Sequence, residues 1–491
     1  VSATFLGQPR GLATLFLTEM WERFTYYGMR AVLVLFLVSA VASGGFGIDD
    51  RTATAIYGLY TSGTYLTALP GGWIADRLVG GRIAVMAGGL LIASGNGILA
   101  SSTSHGGFYS GLLVIVLGVG LLKPNVSAMV GELYPEGGAR LDAGFTVFYM
   151  GINVGATLGP LVTGLAQVYF GPRAGFATAG VFMALGVAQF YFTQGYLGDA
   201  GKLNPQVTGA AQRVRSWLTL GLACAVGGLL IAACATGFLA LDALALAQGA
   251  SVLMVAMAVF YFAYLLFGAG LTGPEKKRVV VLMVLFLGSI LFWSGYEQAG
   301  SSFNLFAERY TARGLPALNF VIPTEWFQSL NPAFIILFAP LLAYLWVALA
   351  KRHLNPSAPA KFAIGLLLLG GGFLVMAEAA ALVARGTKVL PAWLVVTYLL
   401  HTLGEICLSP VGLSYSTKLA PKRLAGQIMG MWFLSLSLGN LAAGLIAGQF
   451  DARNLAAMPG QYMLLVYCIT GLGVALLLIS RPVKRLMGDV E

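Results

Sequence analysis

The chain has 491 residues, of which 58% are hydrophobic and only 10% charged, with a mean hydropathy of +0.82 and a net charge of +10. Water-soluble domains carry about 25% charged residues, so a soluble globular protein is excluded and lipid must be the solvent for most of the chain. Alternating ten-residue strands, the mark of an outer-membrane barrel, are absent.

Apolar runs of about 20 residues, long enough to cross a bilayer as helices, recur fourteen times along the chain. They lie near 12–40, 54–76, 83–103, 107–131, 143–168, 173–196, 215–236, 244–270, 279–306, 324–350, 362–384, 391–418, 425–449 and 460–480. The first is too long and too charged for a cleaved signal peptide. It contains the stretch "TEMWERFTYYGMR" at 18–30, with Glu19, Glu22, Arg23 and Arg30 at bilayer depth. On a helix these four, with Tyr26 and Tyr27, fall within an arc of about 140°, while Trp21, Phe24 and Gly28 lie opposite. Each charge at that depth costs at least about 2.5–3.5 kcal/mol if unpaired. The stripe is therefore expected to be internally paired and to face a water-filled cavity. Simple pinning of helices is the other reading of Glu19, Glu22 and Arg23, although apolar groups do that at lower cost.

Later spans carry isolated charges of the same kind. Lys123 precedes Pro124, where the missing backbone donor can bend the helix. Glu297 lies one turn after Trp293, and Glu405 one turn after His401. Asn153, Gln298, Gln328 and Asn331 add buried polarity. Three cations, Arg23, Arg30 and Lys123, stand against four acids, Glu19, Glu22, Glu297 and Glu405. One spare acid suits a site that takes up a proton. Glu378, near the outer end of its span, reads as structural, and His401 as a core histidine. Cys224, Cys234, Cys407 and Cys468 all fall within spans without metal spacing and read as small core residues.

With the N-terminus inside, nineteen Lys and Arg collect on the inner face and seven on the outer. This bias predicts both termini in the cytoplasm. Basic loops facing anionic lipid headgroups account for the net charge, so no nucleic acid partner is implied. The polar connection at 196–215 and the basic "TGPEKKR" at 272–278 bracket two nearly featureless spans. Six spans precede this pair and six follow. The expected organisation is a six-helix bundle at 1–196, a linker with an inserted transmembrane hairpin at 197–277, and a second six-helix bundle at 278–491. Parallel halves of six helices are one plan of membrane transporters. Glycine runs such as "GINVGATLGP" and "GNLAAGLIAG" read as close helix packing. "GVGLLK" at 118–123 lacks the rest of a phosphate loop, so an ion gradient rather than ATP is the expected energy source.

Four stretches carry a resemblance. "EMWERFTYYG" (19–28) is similar to the ExxERFxYYG motif of the proton-coupled oligopeptide transporters, a branch of the major facilitator superfamily. "GGWIADRLVGGR" (71–82), "FYMGINVG" (148–155) and "GEICLSPVGLS" (404–414) resemble that family's loop between helices two and three and its helix-five and helix-ten motifs. The resemblance implies an all-α membrane protein with the major facilitator fold: twelve core helices in two bundles plus the hairpin typical of bacterial members. It implies proton-driven symport of di- and tripeptides, with no cofactor beyond the proton. The expected setting is the inner membrane, and the expected state a monomer in contact with lipids.

Residue by residue, the resemblance assigns Glu19, Glu22, Arg23 and Glu297 to proton coupling. Arg30 would meet the peptide carboxylate and pair with Glu297 when the outer side closes. Lys123 would pair with Glu405 when the inner side closes, and Glu405 would receive the peptide amino group. Tyr27, Tyr65, Asn153, Trp293, Asn331 and Trp432 would line the pocket, Tyr65 being matched only by its distance from "ADR". A short peptide is a zwitterion with termini about 5–10 Å apart, which a base on one bundle and an acid on the other can clamp. The alternative is a symporter of another small anion such as nitrate, but such an anion needs no acid for an amino terminus. An intramembrane peptidase is the remaining class. No HExxH motif occurs, and Arg23 and Arg30 would keep Glu19 and Glu22 ionised rather than sharing a proton, so an enzyme is not expected.

Overall fold

The computed structural model describes residues 4–203, 210–235, 242–450 and 454–487. The fourteen expected spans each coincide with a helix or a broken pair of helices. In chain order these are α1 (Arg10–Val38), α2 (Asp50–Leu66), α3 (Ala68–Ile74), α4 (Gly81–Ser101), α5 (His105–Glu132), α6 (Gly138–Phe170), α7 (Ala174–Thr193), α8 (Ala210–Ala235) and α9 (Ala243–Ala263). Then come α10 (Gly273–Tyr296), α11 (Ser302–Tyr310), α12 (Leu330–Lys351), α13 (Ala358–Ala384), α14 (Ala392–Lys418), α15 (Ala425–Ala447), α16 (Met458–Leu478) and α17 (Ser480–Met487). Eleven segments among the described residues are long and apolar enough to cross a membrane on those grounds alone. Helices α1, α2 and α8 fall outside that set: α1 holds five charged residues, Arg10, Glu19, Glu22, Arg23 and Arg30, and α2 has 17 residues.

Two compact units emerge. One comprises residues 1–29 and 63–246, the other residues 30–62 and 247–491. Helix α1 is a single unbroken helix that contributes to both. In the first unit α4 packs on α5 and α7, α3 on α5, and α6 on α7. In the second, α13 packs against both α14 and α16, α10 against α15, and α12 against α14. The glycine runs serve close approach, as their spacing suggests. A side chain at Gly155 of α6 would overlap the Met20 carbonyl of α1, and one at Gly444 of α15 would overlap the Thr54 carbonyl of α2.

Three expected spans are interrupted. The run near 54–76 divides between α2 and α3. Helix α12 is entered through a 3-10 segment, Thr324–Ser329. The run near 279–306 breaks at a 3-10 turn, Glu297–Gly300, between α10 and α11. Non-helical backbone at this depth is tolerated where it is buried in protein, and Glu297, Gln298, Ala299 and Gly300 are all buried. Pro124, by contrast, sits inside a continuous α5.

The outer surface is apolar. Leu229 of α8 and Phe260 of α9 are 71% and 76% exposed, as expected of side chains facing acyl chains. The same solvent explains the cysteines: Cys407 is buried, but Cys224 and Cys468 are exposed on helix surfaces rather than in the core, since a thiol is apolar enough for lipid. The side chain of Cys234 lies outside the described residues.

Candidate functional site

Helix α1 presents the two faces expected of it. On one, Trp21 and Phe24 pack on Phe182 of α7 with ring centroids 5.5 and 4.4 Å away, and Thr25 donates to the Ala179 carbonyl at 3.0 Å. The other holds Glu19, Glu22 and Arg23, which are 2%, 1% and 5% exposed. The Arg23 Nε lies 3.2 Å from Glu19 Oε1 and also bridges to Glu22. Its guanidinium carbon stands 5.1 Å from the centroid of the Tyr26 ring, whose face is electron-rich. Tyr27 meets Tyr26 edge-on at 5.3 Å. One cation shared by two carboxylates leaves a formal negative charge. The Lys123 ammonium lies 4.2 Å from the centroid of the Tyr65 ring, so those two expected site residues also meet.

The second unit gathers another set. Arg30 Nη1 donates to Glu297 Oε2 at 2.7 Å, both side chains being almost fully buried. Glu297 caps the C-terminal end of α10. The unpaired carbonyls at a helix C-terminus carry partial negative charge and favour a cation beside them, which adds to the pull on Arg30. Glu405 of α14 is held through one oxygen: its Oε2 accepts from the Tyr296 hydroxyl at 2.7 Å and from Asn331 Nδ2 at 2.9 Å. Asn331, in the first turn of α12, also donates to the Thr402 hydroxyl at 3.0 Å. Trp293 packs edge-on against Tyr296 at 5.1 Å.

Two expected pocket residues make their contacts elsewhere. Asn153 donates to the Tyr149 carbonyl of its own helix at 3.0 Å. Trp432 lies against Gly412 of α14 and 6.5 Å from Phe362. The sequence reading did not pick out Tyr296 or Thr402, because hydrogen bonds between helices leave no periodic trace. Nor did it pick out the ion pair of Arg309 with Asp50, two parallel bonds of 2.5 and 2.7 Å. No three metal-ligating side chains converge among the described residues.

Broken membrane helices that bring buried, paired charges together are the hallmark of a secondary transporter. The comparisons agree. The sequence profile of the POT family matches residues 82–463. The chain is 41% identical to the peptide transporter YePEPT of Yersinia enterocolitica, over 99% of this chain and 97% of that one. It is 35% identical to a di-/tripeptide transporter of Lactococcus lactis subsp. cremoris, over 99% and 98%. Among solved structures, a variant of a peptide transporter POT in complex with alafosfalin superposes with a TM-score of 0.91 at 38% identity, covering 99% of this chain and 98% of that one. A POT family transporter in complex with 5-aminolevulinic acid gives 0.87 at 33%, covering 98% of each. The protein is thus a multi-pass membrane transporter with the major facilitator fold, not an enzyme. It belongs to the POT family, the proton-coupled oligopeptide transporters.

Proposed function

We propose that this chain carries di- and tripeptides into the cytoplasm by proton-driven symport with alternating access. The observation that carries the reading is the buried Arg30–Glu297 pair, with Glu405 tethered by Tyr296 and Asn331 in the same unit. An arginine and a separately held acid are what a zwitterion needs at its two ends. Relatives named as peptide and di-/tripeptide transporters support the substrate class.

In this reading the bundles are 1–196 and 278–491, with 197–277 as linker and hairpin. The carrier acts as a monomer in the inner membrane, both termini cytoplasmic, and the proton is its coupling ion. Protonation of Glu22 or Glu297 releases a neighbouring arginine, and the peptide carboxylate takes the vacant place at Arg30. The amino terminus then engages Glu405 and weakens its bond to Lys123, which frees the inner side. Tyr27, Tyr65, Asn153, Trp293, Asn331 and Trp432 surround the peptide bond and side chains, while Glu19 and Arg23 set the charge balance around Glu22. One proton falling through 100 mV supplies about 2.3 kcal/mol and one pH unit about 1.4. Together these suffice for several hundredfold accumulation of a neutral zwitterion.

The test uses liposomes holding the purified protein. External acidification should drive uptake of labelled dialanine above equilibrium, and nitrate should not compete. In Glu22→Gln, counterflow exchange should persist while uphill accumulation is lost. Uphill uptake unchanged in that variant removes Glu22 from the coupling mechanism.

A further inference from the structure

Within the second unit a small enclosed cavity of about 10 Å³, room for the centre of a single water, is lined by Arg30, Tyr296, Gln328, Asn331, Tyr398 and His401. Gln328 is 3% exposed, and neither its amide oxygen nor its amide nitrogen meets a hydrogen-bond partner among the described residues. A buried carboxamide in that condition bears a desolvation cost that nothing nearby offsets. Gln328 stands at the end of the 3-10 segment leading into α12, one turn before Asn331. Across the cavity the Tyr398 hydroxyl donates to the Ala299 carbonyl at 3.3 Å, so its oxygen lone pairs remain to accept. The walls thus offer a donor and an acceptor from Gln328 and an acceptor from Tyr398.

We propose that this cavity is a subsite for one hydroxyl-sized group that both donates and accepts: a water in the empty carrier, and the hydroxyl of a serine or threonine side chain when such a peptide is bound. The proposal rests on the transport reading above and adds a substrate preference to it. Arg30 lines the cavity and Glu405 does not. With the peptide carboxylate at Arg30, the side chain within reach is that of the C-terminal residue. The preferred dipeptides therefore carry serine or threonine second. A methyl group of the same size gains nothing there and leaves Gln328 unsatisfied, a difference of about tenfold in affinity.

The experiment is competition against labelled dialanine uptake in liposomes. Alanyl-serine is compared with alanyl-2-aminobutyrate, which replaces the hydroxyl by a methyl. In the unaltered protein the serine peptide should inhibit at about one tenth of the concentration. In Gln328→Leu that ratio should fall to about one, and in Tyr398→Phe it should fall part of the way. The ratio within each variant is the readout, so a slower carrier does not obscure it. Equal inhibition by the two peptides in the unaltered protein overturns the subsite and leaves water as its occupant. A preference fully retained in Gln328→Leu, or in the milder Tyr398→Phe, overturns it as well. Absence of dialanine uptake is a different result: it sinks the transport reading and the subsite together.

Discussion

Removing the Arg30 guanidinium would leave Glu297, 3% exposed, without the cation that balances it. Breaking a buried pair from one side costs about 3–5 kcal/mol, whereas replacing both members by apolar groups is often near neutral. Arg30→Leu alone should therefore lower the melting temperature in detergent clearly. Arg30→Leu combined with Glu297→Leu should recover much of the loss, and strict additivity would mean the two side chains are not energetically coupled. Tyr296→Phe is a finer probe, because it deletes the hydroxyl that donates to Glu405 and keeps the ring. A hydrogen bond to a charged group contributes about 1.5–3 kcal/mol. Glu405 less firmly oriented should raise the KM for dialanine at least tenfold with little change in maximal rate, as liposome uptake would measure. At this scale the sequence was informative about identity but not partnership. The charges of "TEMWERFTYYGMR" declared themselves by their cost in lipid, and their helical spacing foretold the bridge of Arg23 with Glu19, one turn away. That Tyr296 and Asn331 would share one oxygen of Glu405 depends on three segments of the chain meeting, which local spacing does not encode.

At the scale of the element, glycine decides how near the helices come. Gly155 lets α6 approach the backbone of α1, so Gly155→Val should cost about 1–3 kcal/mol through overpacking. Gly97, in the interior of α4, has nothing within 4 Å of an added Cβ. Gly97→Ala should instead be neutral or stabilise by up to about 1 kcal/mol, since alanine favours helix. Paired melting curves check both, and equal effects would show that the close approach carries no special weight. Most of the elements were legible because length and apolarity mark a membrane helix, and eleven meet that measure without help. Their interruptions were not. Glu297 sits in "WSGYEQAGSS", whose glycines and serines permit a break, yet no proline marks it. Burial of the turn decides the matter, and burial is a tertiary property.

At the scale of the whole molecule, charge asymmetry predicts orientation. In a background with the four cysteines replaced, a cysteine at Lys388 should react with an impermeant maleimide in intact cells, and one at Lys276 only after the membrane is opened. The opposite pattern would invert the assigned topology. The continuity of α1 bears on the same scale. Arg23 and Arg30 stand seven residues apart, two helical turns or about 10 Å along one axis, and the helix between them has no break. Yet Arg23 belongs to one compact unit and Arg30 to the other. Two adjacent glycines at Thr25 and Tyr26 would soften that continuous helix, each at a cost of about 0.5–1 kcal/mol, and under the symport proposed above the variant should still bind peptide while its uphill accumulation in liposomes falls.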